Sequence, residues 1–407
     1  MNDFGDGDDS LNKEVLWTKS FISVSLANFF LFVTYYALLV TLPSAAIHYY
    51  GASGTAAGLF TTLFLGAAII IRPFTGPWIE RFGKRFILIV SLAIFAIASF
   101  FYGFFSSIVS LLILRFIHGI GFGMATTITG TIIADMVPDS RKGEGMGYFI
   151  MSTNLAMVIG PFIGLTIFRE FDIYILFWIG AIFSFIALLF GLGTKLIKEE
   201  RVEKGSIEKK RQPMFEKAAL PISLTGAFFA LAYSTILTFM AVFATDRGLG
   251  AESSYFFGVF AVVLILSRPF TGRWFDRYGA NVIIYPAILS FGLGMLFLGL
   301  SQSAPLFFIA AGFIGLGWGT LFPSFQTLAI QSVEPKRRSV ATATFLSTFD
   351  IGIGGGSLII GALVGGMDLG MIYACSSLYI FGGLAVYYWA QKQKLVIKGR
   401  VGQHGEA

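Results

Sequence analysis

Long apolar stretches, separated by short polar or charged segments, follow one another along nearly the whole chain of 407 residues. The charge-free stretches Ser20 to Ile71 and Tyr278 to Val333 are each long enough for two helices of about 20 residues, the length that crosses a bilayer core. They are apolar on every side and do not alternate as the strands of a membrane barrel do. The pattern predicts an all-α membrane protein.

Turn residues and charges divide the chain into twelve transmembrane helices, in two sets of six. The first set is predicted near 21–48, 54–76, 86–106, 108–134, 145–168 and 173–194, and the second near 219–245, 253–272, 282–302, 305–331, 340–364 and 370–390. This predicts an N-terminal tail over 1–20, a six-helix bundle over 21–194, a charged connector over 195–217, a second bundle over 218–390 and a C-terminal tail over 391–407.

An internal repeat relates the two sets. Residues 72–83 and 268–279, 196 positions apart, share Arg, Pro, Phe, Thr, Gly, Trp, Arg and Gly at equivalent places. Gly119, Gly121 and Gly123 recur at the same spacing as Gly315, Gly317 and Gly319. Each half is therefore expected to carry the same short charged turn between two spans, and a membrane protein of two similar halves is usually a transporter.

Composition and charge place the chain in a membrane and orient it. With 56% hydrophobic and 13% charged residues, it has too little polar surface for a soluble globule. With the amino terminus inside, the outer loops hold only Arg169 and Arg247, whereas the connector 195–217 holds eight Lys and Arg residues. We expect a multi-pass protein of the plasma (inner) membrane with both termini cytoplasmic. The acidic first twenty residues are unlike a signal peptide. The net charge of +6 suits anionic membrane lipids and argues little for nucleic acid.

Several chemistries lack the residues that they need. The single cysteine, Cys375, cannot form an intrachain disulfide, and His48, His118 and His404 are too scattered in the sequence to share a metal. No phosphate-binding loop of the ATPase type accompanies the spans. The sequence therefore predicts no cofactor, no metal and no enzyme, although a sensor that does not transport stays open as an alternative.

The repeated loop resembles a signature of the major facilitator superfamily, usually Gly-x-x-x-Asp-Arg-x-Gly-Arg-Arg/Lys, and the likeness covers nearly the whole chain. Glu80 replaces the usual Asp in the first copy. The resemblance implies the major facilitator fold, a monomer, and a central cavity that opens to each side in turn. It also implies a gating latch of charge-assisted bonds at the loop ends. The residues concerned are Arg72, Gly76, Glu80, Arg81, Gly83 and Asp135 in the first half and Arg268, Gly272, Asp276 and Arg277 in the second. The alternative is that these charges only mark the membrane edge.

Three ionisable residues fall inside predicted spans and are candidates for proton coupling. Arg115 and His118 resemble the Arg-x-x-x-Gly-x-Gly pattern of the family's helix 4, whose arginine is associated with that role. A neutral His118 that donates a hydrogen bond in helix packing is the equal alternative. Asp350 is the carboxylate predicted near mid-bilayer, where burial disfavours the charged form and allows one proton to be bound and released per cycle. A structural, water-bridging Asp350 is the competing interpretation.

Direction and substrate are predicted from further resemblances. Gly160, Pro161 and Gly164 resemble the core of the family's antiporter motif, although a packing seam with a proline kink is the alternative. The family's cavity is lined mainly by helices 1, 4, 7 and 10. The polar and aromatic candidates there are Asn28, Tyr35, Tyr36, Thr126, Thr235, Thr238, Trp318 and Gln326.

The leading hypothesis is a secondary active transporter that exports a small organic molecule, such as a drug or secreted metabolite, in exchange for protons. Proton-coupled uptake on the same fold is the alternative. A sensor or an intramembrane enzyme is a more distant one.

Overall fold

A computed structural model describes residues 16–105, 107–138, 141–195, 215–334 and 337–403, so most of the N-terminal tail and of the connector, and residues 404–407, lie outside the described residues. In this part of the chain twelve long helices follow one another without a strand. The first six are α1 Lys19–Tyr50, α2 Gly54–Phe82, α3 Lys84–Phe101, α4 Ile108–Met136, α5 Lys142–Glu170 and α6 Ile173–Gly193. The other six are α7 Leu220–Asp246, α8 Ser253–Tyr278, α9 Ala280–Leu300, α10 Ala304–Gln331, α11 Arg338–Val364 and α12 Leu369–Gln403.

All twelve helices are long and apolar enough to cross a membrane. A helix satisfies its own backbone hydrogen bonds, and it must do so in a bilayer because hydrocarbon offers no donors or acceptors. Polar side chains start several of them, since Thr18, Ser53 and Asp172 each accept a hydrogen bond from a backbone N–H in the first turn of the next helix. This confirms the predicted fold class of an integral, multi-pass, all-helical protein.

The helices form two bundles of six. In the first, α1 packs on α5 and α6, and α4 packs on α2 and α3; in the second, α7 packs on α11 and α12, and α10 packs on α8 and α9. The halves meet mainly where α2 contacts α11, α1 contacts α7 and α5 contacts α8. These seams between the halves are the surfaces that must rearrange if the two bundles move relative to each other.

The repeat is visible in the packing as well as in the sequence. A methyl group added at Gly119 would meet the carbonyl oxygen of Phe64, and one added at Gly315 would lie 2.6 Å from that of Phe260. The two members of each pair are equivalent positions of the repeat, 196 residues apart. Glycine at these positions lets α4 approach α2, and α10 approach α8, at backbone distance.

The predicted ends of α2 and α8 near residues 76 and 272 were wrong. Both helices continue through most of the repeated segment, to Phe82 and Tyr278. The reversal needs a single residue, Gly83 with φ of 88° and Gly279 with φ of 87°, a left-handed conformation that only glycine adopts readily. Proline inside these helices removes one backbone donor, but ending a helix inside the bilayer would expose several unpaired backbone groups.

The two ends of the bundle are packed differently. We call the end with the connector and the Gly83 and Gly279 turns the connector side, and the other end the opposite side. Toward the opposite side, residues 33–46 of α1 and 232–244 of α7 are buried without interruption, hence on every face of the helix. Toward the connector side, burial of α1 is confined to a stripe that includes Phe21, Val24 and Ala27. The structure is thus closed on the opposite side.

Candidate functional site

An ion pair joins the two halves in the middle of the bundle. Nη1 of Arg72, on α2, donates a hydrogen bond of 2.6 Å to Oδ2 of Asp350, on α11. The side chains are only 18% and 12% exposed. A charge at this depth is costly unless it is paired, so the two residues stabilise each other. Arg72, predicted as part of a latch at the helix ends, instead partners the carboxylate predicted near mid-bilayer.

Aromatic side chains of α1 lie next to this pair. Tyr35 and Tyr36 are buried and lie within electrostatic range of the Asp350 carboxylate. The Tyr35 ring stacks on Phe122 at 4.6 Å between centroids and on Phe64 at 5.1 Å. Both phenol groups are polar at one end and apolar along the ring.

The second half contributes a buried pair of stacked aromatic side chains. Trp318 is 1% exposed and stacks on Tyr233 at 4.0 Å between centroids, with a further contact to Phe349 at 5.9 Å. The Trp318 indole N–H and the Tyr233 hydroxyl have no hydrogen-bond partner among the described residues. Trp318 was predicted from the sequence, whereas Tyr233 was missed because one tyrosine among 15 carries no distinguishing signal.

Arg115 is completely buried in the first half. Its Nε donates a hydrogen bond of 3.1 Å to the backbone carbonyl of Phe60, and its guanidinium carbon lies 4.1 Å from the centre of the Phe64 ring. Nη1 has no hydrogen-bond partner in the described part of the chain. Arg115 thus faces protein, as expected for a charge inside a span, and its role in proton coupling stays a prediction.

His118 belongs to a buried chain of hydrogen bonds. Its Nε2 lies 3.0 Å from the Ser99 hydroxyl and its Nδ1 lies 3.5 Å from the Tyr102 hydroxyl. Ser99 in turn lies 2.8 Å from Ser184, so the chain links α3, α4 and α6. The Phe95 ring covers the imidazole at 4.0 Å. A neutral imidazole satisfies both contacts, accepting from Tyr102 and donating to Ser99, which favours a role in helix packing.

The variant His118→Gln separates the two interpretations of this residue. We expect transport with an unchanged dependence on pH, and a loss of stability of about 1 kcal/mol for one lost hydrogen bond. The measurements are the pH profile of transport in proteoliposomes and the thermal unfolding of the purified variant. A pH profile shifted along the axis would contradict the packing role and assign proton transfer to His118.

Among the other predicted latch residues, Asp135 has a partner other than Arg72 in the described part of the chain. Asp135 is paired with Lys84, Nζ to Oδ2 at 2.8 Å, within the first half. A methyl group added at Gly76 or Gly272 would meet no atom within 4 Å. The side chain of Asp276 lies outside the described residues. In this state Asp135 is thus joined to the charged turn of its own half, and the part of the latch residues in gating stays a prediction.

The predicted cavity residues divide into two groups. Asn28 donates from Nδ2 to Thr153 at 2.9 Å and to Ser152 at 3.3 Å, so its amide joins α1 to α5 inside the first half. Thr238 bonds to Ser357 at 2.8 Å inside the second half. The remaining candidates are half-buried or buried on the four predicted helices: Tyr35, Tyr36, Thr126, Thr235, Trp318 and Gln326.

The predicted antiporter motif lies where α5 packs on α1. A methyl group added at Gly160 would lie 2.7 Å from Cβ of Tyr36, and one at Gly164 would lie 2.8 Å from Cα of Ala37. Pro161 stands inside the helix between them. These contacts describe a small-residue seam that positions Tyr36 beside the ion pair, and what the motif says about direction stays a prediction.

Contacts between the halves close the opposite side. A methyl group at Gly54 would lie 2.6 Å from the carbonyl oxygen of Gly361, so α2 and α11 touch at backbone level. About two helical turns closer to the middle of α2, the Thr62 hydroxyl donates a hydrogen bond of 2.7 Å to the carbonyl oxygen of Gly354. On the other seam, Arg169 of α5 donates to the carbonyl of Ala251, just before α8. The ion pair of Arg72 and Asp350 thus lies at the same α2–α11 seam that is sealed on the opposite side.

Comparison with known proteins agrees with this geometry. The sequence profile of the Major Facilitator Superfamily matches residues 24–357. The chain belongs to the major facilitator superfamily. It is thus a member of a transporter family, built of twelve membrane helices in two related halves.

Relatives of this superfamily member include exporters. It is 24% identical over 335 residues to the staphylopine export protein of Staphylococcus aureus, covering 78% of this chain and 82% of the relative. It is 24% identical over 283 residues to multidrug resistance protein 1 of Bacillus subtilis, covering 67% of this chain and 72% of the relative.

Solved structures share the fold. A crystal structure of the nucleoside transporter NupG superimposes with a TM-score of 0.71 at 16% identity, covering 91% of this chain and 99% of that one. An inward-facing, occupied bacterial homologue of the human lysosomal transporter Spinster gives a TM-score of 0.69 at 19% identity, covering 91% and 96%. At these identities the likeness concerns the fold alone.

Proposed function

We propose that this superfamily member exports a small organic molecule from the cytoplasm in exchange for protons, by alternating access. The connector side would be cytoplasmic, because it carries the Lys- and Arg-rich connector. The described state, sealed on the opposite side, is then closed toward the exterior. Named relatives that export staphylopine or confer multidrug resistance support the outward direction.

The ion pair between Arg72 and Asp350 carries this proposal. The carboxyl group of Asp350 is either protonated and neutral, or ionised and paired with the Arg72 guanidinium. These two states exclude each other. Because the partners belong to different halves, the ionised carboxylate ties α2 to α11 and the protonated one releases them. Protonation and movement of the halves are thereby linked, which is what antiport requires.

The substrate would bind beside this pair, between the aromatic groups of the two halves. Tyr35 and Tyr36 border it on one side and Tyr233 with Trp318 on the other. Flat aromatic faces bind ring systems by stacking, and a carboxylate nearby attracts an amine. A quinolone carries a ring, an amine and a carboxylate, and a partial relative of 28% identity over 143 residues is named a quinolone resistance protein of Staphylococcus aureus.

Flux in everted membrane vesicles tests the proposal. With an acidic interior, vesicles that contain the protein are expected to accumulate a fluorescent quinolone such as norfloxacin, and to release protons when it is added. A protonophore should abolish the accumulation, and Asp350→Asn vesicles serve as the matched control. Accumulation in right-side-out vesicles instead would establish uptake. Accumulation that ignores the pH gradient would refute proton coupling.

A further inference from the structure

The internal repeat assigns a counterpart to each member of the central ion pair. Arg72 corresponds to Arg268 on α8, and Asp350 corresponds to Asn154 on α5, both at the spacing of 196 residues. These two helices form another seam between the halves, where a methyl group at Gly258 would lie 3.8 Å from the Phe162 ring. At the α5–α8 seam an arginine is thus present, and an asparagine occupies the position that corresponds to Asp350.

Arg268 points into the protein. It is half-buried and lies on the same face of α8 as the buried residues Phe257, Phe260 and Leu264, whereas its neighbours Pro269 and Phe270 are exposed. It lies ten residues before the end of its helix, as Arg72 does, which is roughly 15 Å along the axis. Both arginines are therefore at the same depth in their own halves.

The guanidinium of Arg268 lacks a counter-charge. Its Nη2 is buried with no hydrogen-bond partner, and no ion pair of this side chain is found in the described part of the chain. Arginine stays protonated in proteins, so it cannot relieve this cost by losing its charge. Asn154 supplies an amide at most. At the α2–α11 seam the equivalent arginine is paired with a carboxylate, and no such anion is found beside Arg268 in the described part of the chain.

We propose that Arg268 binds the carboxylate of the transported molecule at the α5–α8 seam. The bound carboxylate takes the place that Asp350 has at the α2–α11 seam, so the ligand completes a second ion pair between the halves. That the ligand is cargo rests on the function proposed above; the anion site itself does not. A planar guanidinium forms two parallel hydrogen bonds to a carboxylate, which makes an organic acid the matching chemical class.

Equilibrium binding of benzoate to the purified protein tests this site, with neutral benzamide as the matched probe and isothermal titration as the measurement. We expect the protein to bind benzoate and to ignore benzamide. Arg268→Gln should weaken benzoate binding at least tenfold. Asn154→Asp should weaken it as much, because the new carboxylate occupies the guanidinium, while thermal stability is kept or raised. Arg247→Gln, which removes a cation paired with Asp368 at the opposite side, should bind as the unmodified protein does.

The outcomes separate the possible ligands. If benzoate binds no better than benzamide, or if Asn154→Asp binds it as well as the unmodified protein, the proposal is overturned. If benzoate fails but phosphatidylglycerol raises the unfolding temperature in an Arg268-dependent way, the ligand is a lipid headgroup, and the proposal is equally overturned. The titration needs no pH gradient. If benzoate binding depends on Arg268 but antiport fails, proton-coupled export is refuted and the anion site stands.

Discussion

Asp350→Asn is expected to cost about 3 kcal/mol of the free energy of unfolding and to abolish proton-coupled transport, whereas Arg72→Gln should cost only about 1 kcal/mol. The asymmetry follows from the chemistry of the partner left behind. Without Asp350 the guanidinium of Arg72 remains charged inside the membrane. Without Arg72 the carboxyl of Asp350 can take up a proton and become neutral. Thermal and denaturant unfolding in detergent measure the first effect, and flux under a pH gradient the second.

The double variant Arg72→Gln with Asp350→Asn is the control for this pair. The double variant leaves two neutral amides in place of the ion pair of Arg72 and Asp350 and no buried charge, so stability should return to near that of the unmodified protein. Coupling should not return, because neither side chain titrates. Recovery of proton-coupled flux in the double variant would show that another group carries the proton. Equal losses of stability in the two single variants would contradict the charge argument.

Gly58→Ala is expected to open the opposite side by making its closed packing unfavourable. A methyl group at Gly58 would collide with the carbonyl oxygen of Ser357 and lie 3.4 Å from Cα of Leu358, both on α11 of the other half. Overpacking of this kind costs about 1 to 3 kcal/mol, here against one conformation only, which corresponds to a population shift of roughly 5- to 150-fold.

Accessibility of a cysteine at position 44 reports this shift. Ser44 is completely buried in the closed part of α1, and Ser44→Cys, in a Cys375→Ser background, adds a single thiol there. Gly58→Ala should raise its rate of reaction with an impermeant maleimide roughly tenfold. Gly66→Ala, on the same helix, is the matched control: no atom lies within 4 Å of its added methyl group, and alanine favours a helix. Equal rates in the two variants would disprove a closing role for the α2–α11 contact.

Much of the architecture could be predicted from the chain because a bilayer leaves few alternatives. Apolar stretches of about 20 residues must be helical, and two copies of one segment imply two similar halves. The ends of α2 and α8 were predicted too early, because proline and glycine, which stop helices in water, do not stop them in hydrocarbon.

The candidate site was predicted in parts that were not connected. Asp350 and Arg72 were each singled out, yet nothing in a sequence separation of 278 residues indicates that they touch. Tyr36 and Trp318 were expected near a cavity, and which side chains each of them contacts depends on how the helices pack. For His118 the sequence and the structure favour different roles. The residue type suggests proton transfer, whereas the hydrogen bonds to Ser99 and Tyr102 favour a role in helix packing.

By itself the sequence determined that this protein lies in a membrane, that it is helical and that it has two related halves. Hydrophobic stretches and repeated segments can both be recognised along the chain without knowing which residues are in contact. Only the tertiary structure decided which charges are paired. The repeat places an arginine at the same depth in both halves, and the docking of α11 on α2 gives Arg72 a carboxylate, while Arg268 keeps a buried nitrogen with no partner among the described residues. Pairing depends on distances of a few ångströms between helices that are far apart in sequence, and electrostatic energies in hydrocarbon change steeply over such distances.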